Sequence, residues 1–140
     1  MPPKLQTQLL HGWQETENPG GPLTFIRGSG PDPDCLQVSV ARPRSGTGQT
    51  ISEQQLVAMC EKLTRDVRGR IQVSSSSGVC EFGIFGSVTV KGESPEYMQA
   101  WVVSNRLDFI LTTHICYRQP DAQEIAQANR IALTVSTSSA

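Results

Sequence analysis

Residues 80–117, CEFGIFGSVTVKGESPEYMQAWVVSNRLDFILTTHICY, decide the fold of this chain. They read as three consecutive strands, 80–91, 97–104 and 107–117, joined by two short turns. In the first, Phe82, Ile84, Val88 and Val90 share a face with Cys80 and Gly86, while Glu81, Gly83, Phe85, Ser87, Thr89 and Lys91 take the other. Alternation of this kind is the signature of a strand, because successive side chains leave the pleat on opposite sides. Gly83 and Gly86 remove side chains from both faces, which predicts a bulge or the close approach of another backbone. Gly92-Glu93-Ser94-Pro95 turns the chain back into a strand carrying Trp101, Val102 and Val103. Ser104-Asn105-Arg106 makes the second turn, since Asn tolerates the left-handed conformation. The third strand sets Leu107, Phe109, Leu111, Ile115 and Tyr117 on one face. Asp108, Ile110, Thr112, His114 and Cys116 occupy the opposite one.

Outward from this meander the chain supplies its covering layers. Upstream, Leu36, Val38 and Val40 alternate with Gln37 and Ser39 in a strand over 35–41 that pairs with 23–27 as a hairpin. Residues 5–10 fit a short strand or a turn of helix equally well. The cluster at 18–22 and the loop at 28–34 carry the Gly, Pro and Asp of tight turns. A helix begins after Thr50 or Ser52, because Thr50 with Glu53 and Ser52 with Gln55 each form a capping box. Its apolar stripe is Leu56, Met59, Cys60, Leu63 and Val67, and Gly69 sits where a left-handed C-cap would fall. Ile71-Gln72-Val73 starts a further strand, and Ser74–Gly78 reads as a polar turn. Asp121, with Glu124 at the capping offset, opens a last helix whose apolar line is Ile125, Ala128, Ala132 and Val135. The expected fold is therefore α+β, an antiparallel β-sheet flanked by two helices. One globular domain over 1–140 is expected, with 1–4 and 136–140 flexible.

Composition excludes more than it selects. The chain has 12 Lys and Arg against 13 Asp and Glu, a formal charge of −1, and 6% aromatic residues. That leaves neither the basic surface nor the interleaved aromatics that nucleic-acid or anionic-membrane binding requires. No signal-peptide core and no membrane-length apolar run is visible, so a cytoplasmic location is expected. In that compartment Cys35, Cys60, Cys80 and Cys116, widely spaced and without a Cys-x-x-Cys pair, read as reduced thiols. The Arg42–Gly48 loop lacks the glycine spacing and Gly-Lys-Ser/Thr ending of a phosphate cradle.

No catalytic residue and no cofactor is assigned. His114 and Cys116 point the same way from one strand with Asp108 on that face. At ~3.3 Å per residue, however, Asp108 lies roughly 20 Å from His114, too far for an orienting hydrogen bond. His114 and Cys116 could supply two metal ligands, but no second Cys/His pair completes a set, and His11 is the only other histidine. Asp32 and Asp34 sit in a Pro-rich loop and read as turn formers. No metal site is therefore assigned, and the chain is expected not to be an enzyme. Trp13 reads as a lid over the sheet or as the anchor of a protein interface. Trp13, Asp108, Thr112 and His114 are the candidate partner-binding residues, with another protein as the expected partner. The alternative is a small-ligand or metal-binding protein with its site near His114 and Cys116.

The order hairpin, helix, three-stranded meander, terminal helix, preceded by Gly12-Trp13, resembles the PsbP-like α/β/α sandwich. That superfamily includes the photosystem extrinsic subunit, a Ran-binding nuclear-transport factor and bacterial DcrB-type proteins. The resemblance implies an antiparallel sheet between helices and a largely non-enzymatic role in docking to other proteins. An adaptor or a toxin-immunity-type inhibitor is the specific expectation it carries. No family binding residue maps onto this sequence.

Overall fold

The computed structural model describes residues 4–6, 12–16, 23–28, 33–41, 51–105 and 108–138. His11, Leu107, the cluster at 18–22 and the Arg42–Gly48 loop lie outside them. The meander is formed by β6 (Ile84–Lys91), β7 (Tyr97–Ser104) and β8 (Phe109–Cys116). The expected hairpin is β3 (Leu23–Arg27) with β4 (Asp34–Ala41), and β4 docks antiparallel on β8. The sheet extends at both edges, by one unexpected strand and by a longer run of the strand expected to start at Ile71. Trp13–Thr16 is β2, pairing with β3, and Ile71–Val79 is β5, pairing with β6. The seven strands run β2-β3-β4-β8-β7-β6-β5, every pairing antiparallel.

β5 corrects the reading of the serine run as a turn. Ser74–Ser77 stay extended because β6 offers them a full ladder, with a register shift between Gln72 and Ser74. A backbone partner outweighs the weak turn preference of serine. Ser136–Ser138 (β9) pairs antiparallel with Lys4–Gln6 (β1).

The first helix, α1, is Glu53–Leu63. Ser52 caps it, accepting from the Gln55 amide at 3.1 Å while the Gln55 side chain returns a bond at 2.8 Å. It ends at Thr64, whose hydroxyl bonds back to the Cys60 carbonyl, so Gly69 is not its cap. The second helix, α2, is Ala122–Thr134, capped by Asp121.

One helix covers each face of the sheet, so there are two cores. On the α1 side Leu56 and Cys60 pack with Val88, Val90, Met98, Ala100 and Val102. Gly86 makes this contact possible, because a Cβ there would lie 2.5 Å from the Val57 nitrogen. Gly83 meets the Ser104 backbone just as closely, and both glycines behave as the meander's pattern required. On the α2 side Trp13, Phe25, Leu36, Val38, Trp101, Val103 and Ile110 pack against Ala128, Ile131, Ala132 and Val135. Both indoles tie α2 to the sheet: Trp13 donates to Gln127 and Trp101 to Asn129, each at 3.0 Å.

Candidate functional site

The sheet register assembles the site. Trp13 pairs with Arg27, Arg27 with Asp34, and Tyr97 with Cys116. Cys35 pairs with Ile115, which sets Asp34 opposite Cys116. Trp13, Arg27, Asp34, Cys116 and Tyr97 thus form one row across five strands, on the face covered by α2. His114 stands two residues from Cys116 and therefore on the same face. The first turn of α2 is laid over this row and lowers Glu124 into it.

Glu124 is the hub. Its Oε1 accepts from Arg27 Nη1 at 2.9 Å, and its Oε2 lies 2.9 Å from His114 Nε2. Cys116 Sγ is 3.2 Å from the same His114 nitrogen and donates to Glu124 Oε2 at 3.4 Å. The His114 ring stands edge-on between those of Trp13 and Tyr97, with centroids 5.7 and 5.6 Å away. Its Nδ1 is buried without a hydrogen-bond partner. Aromatic packing, not a second hydrogen bond, orients the imidazole.

The electrostatics follow from this crowding. Burial by itself would raise the Glu124 carboxyl. Hydrogen bonds from His114, Asp34 and Cys116, with the attraction of His114, outweigh it and hold Glu124 ionised. Asp34 moves the other way, raised by its own burial and by the neighbouring Glu124. Burial and the two carboxylates push the Cys116 thiol far above its ordinary range. A polar cleft of about 370 Å³, lined by Arg27, Gly28, Pro33, Asp34, Arg118, Asp121 and Glu124, opens the Asp34–Glu124 side to solvent.

A thiol nucleophile needs one imidazole nitrogen facing the thiol and the other facing an orienting acceptor. Here Cys116 and Glu124 converge on the same nitrogen, and the thiol is held protonated. The group does not form an acyl-transfer triad.

None of the four candidate partner-binding side chains lies at the surface. Trp13, Thr112 and His114 are buried beneath α2, and Asp108 is buried at the turn before β8. The face bearing Asp108, Thr112, His114 and Cys116 is covered, so these residues do not form an exposed docking face. His114 and Cys116 are brought together, as their spacing required, whereas Asp108 takes no part in the cluster. Sequence reasoning missed Glu124, read as a cap, Asp34, read as a turn former, and Arg27. One signal was available for Glu124: it stands four residues before Ala128 on the apolar line of its helix.

A second feature lies at the far edge of the sheet. β5 is exposed along nearly all of its nine residues, and Ile71, Val73 and Val79 are 65, 48 and 79% exposed. It carries no charged residue and no proline, the usual devices that block an edge, and its single irregularity follows Gln72.

No family model and no curated protein sequence matches the chain. Solved structures match the chain, among them two that superpose over almost its whole length. The chain is similar to cyanobacterial PsbP (CyanoP) from Synechocystis sp. PCC 6803, at 11% identity and a TM-score of 0.63, covering 96% of this chain and 86% of that one. It is similar also to LpqN of Mycobacterium tuberculosis, a protein involved in cell envelope biogenesis. That match has 12% identity and a TM-score of 0.65, covering 99% of this chain and 85% of the other. The chain has the PsbP-like fold. The resemblance read from element order holds at the level of architecture.

Proposed function

We propose that the chain is a non-enzymatic protein-binding domain, an adaptor or immunity-type inhibitor, that captures an extended segment of its partner along β5. The observation carrying this reading is the uncharged, nine-residue edge, exposed along its length and, among the described residues, without a strand on its outer side. A partner strand added there gains a ladder of main-chain hydrogen bonds and covers Ile71, Val73 and Val79. The failure of the buried cluster to form a nucleophile–base pair supports a binding role over a catalytic one. The four free cysteines support a reducing, cytoplasmic setting.

Along an edge strand, successive N–H groups point alternately to the neighbouring strand and outward. Of the variants Ser75→Pro and Ser76→Pro, one therefore removes an outward donor and the other an internal one. A photo-crosslinking residue at Ser77, and a control at Glu61 on α1, would be used in native lysate. One stoichiometric partner is expected from the β5 position only, lost in the proline variant that keeps wild-type stability. Recovery of the same proteins from both positions, or of none, would sink the reading. A crosslink to a second copy of the chain, with a dimer by light scattering, would replace it with self-association.

A further inference from the structure

The buried cluster offers more than hydrogen bonds. His114 Nε2, Cys116 Sγ and Glu124 Oε2 form a closed triangle with sides of 2.9, 3.2 and 3.4 Å. Few protons serve three converging polar atoms, and the imidazole nitrogen can donate or accept only once in its ring plane. Atoms gathered in this way fit a cation at their centre. Bonds of 2.0–2.3 Å to a tetrahedral zinc set neighbouring ligands roughly 3.3–3.7 Å apart, so the triangle needs to open by only a few tenths of an ångström. All three residues are buried, and their donor atoms lie within 4.8 Å of one another.

We propose that His114, Cys116 and Glu124 bind a zinc ion, with Asp34, which lines the adjoining cleft outside this three-residue cluster, swinging in to close the fourth position. The donor set, one thiolate, one imidazole and carboxylates, is the one zinc takes. Charge supports it as well. Three anionic ligands exceed the divalent ion by one charge, and Arg27, bonded to the outer oxygen of Glu124, balances the remainder. That guanidinium also fixes the carboxylate's orientation, as partners of metal ligands do. On binding, the Cys116 thiol and any proton held by Asp34 release protons to solvent. The cleft beside Asp34 and Glu124 is the entry path. A zinc ion here would lock α2 to β4 and β8 by joining one ligand from the helix to ligands from both strands. The site is independent of β5, so either feature can fail without the other.

The test uses the full chain, free of any tag, stripped with chelator and titrated with zinc and then with cobalt(II). One zinc per chain is expected by equilibrium dialysis, with a thiolate-to-cobalt charge-transfer band in the near ultraviolet. Cys116→Ser should abolish the band, and Asp34→Asn should weaken zinc binding about 10–100-fold while preserving the unfolding midpoint of the metal-free chain. Should Cys116→Ser fail to fold, alkylation mapping on the unmutated chain decides. Zinc should then slow modification of Cys116 and leave Cys35 and Cys80 unchanged. Substoichiometric zinc, a cobalt spectrum without the thiolate band, or no protection of Cys116 would overturn the proposal.

Discussion

Gly86 and Cys60 show how closely α1 is set on the sheet. The Cys60 thiol donates to the Gly86 carbonyl at 3.2 Å, and nothing separates helix from strand at that crossing. Gly86→Ala must force α1 outward, and the expected loss is about 1–3 kcal/mol, an ordinary cost of overpacking. The check is a urea midpoint lowered at unchanged slope. Burial pushes the Cys60 thiol from 9.0 up to about 12. Because the folded value is raised, this stabilisation is complete below pH 9. It is lost as pH rises from about 9 through 12, where the unfolded thiol ionises first. Cys60→Ala is therefore expected to flatten that part of the stability profile, whatever it costs at neutral pH. In a thiol-labelling time course near pH 8, half-exposed Cys35 and Cys80 should react well before buried Cys60. Glu124 marks the limit of reading residues singly. Its offset from Asp121 fits a capping box, and the Asp121 side chain does accept from the Glu124 amide at 2.8 Å. Its carboxylate, however, turns to Arg27, His114 and Cys116. The offset is local, but the destination of the side chain depends on what lies under the helix.

Among the elements, α1 carries its start signal in full. Ser52→Ala removes a side-chain acceptor from the first turn and should cost about 1 kcal/mol, read as a shift in the denaturation midpoint. β7 and β5 mark the extremes of the sheet. Every residue of β7 is buried between two paired strands, whereas β5 is an exposed edge with one neighbour. Amide exchange should follow this order, with β7 exchanging only on global unfolding and the outward amides of β5 exchanging fastest among the described strands. Equal protection of the two strands would show that β5 is already covered, as in a dimer. The meander was legible because its alternation covers whole strands. The helix caps were legible because capping offsets are fixed. β2 and the second half of β5 were not, because Trp13–Thr16 is too short for a period to emerge. Ser74–Gly78 has no apolar side chains to alternate, and it became a strand only because β6 stood ready to pair.

At the scale of the molecule, the sheet divides two cores that share no helix. Both tryptophans lie in the α2 core, and Cys60 lies in the α1 core. Tryptophan fluorescence thus reports one half of the sandwich and Cys60 alkylation the other. If folding is cooperative through the shared strands, the two probes should give coincident urea transitions. Separated midpoints would show that one layer melts on its own.

The chain's own pattern determined its meander and hairpin, its helix starts, its near-neutral surface and its sandwich order, since all of these rest on local period, local capping or composition. Only the tertiary structure decided which residues share a site. Arg27, Asp34 and Cys116 meet because three strands pair in one register, and a slip of one residue would turn any of them to the opposite face. Glu124 joins them because α2 crosses that row at its first turn. Of the four residues expected to face a partner, Trp13, Thr112 and His114 were instead buried by the same helix, and Asp108 at the turn before β8. Which face a helix covers depends on how the layers pack, and no residue in the strand beneath encodes it.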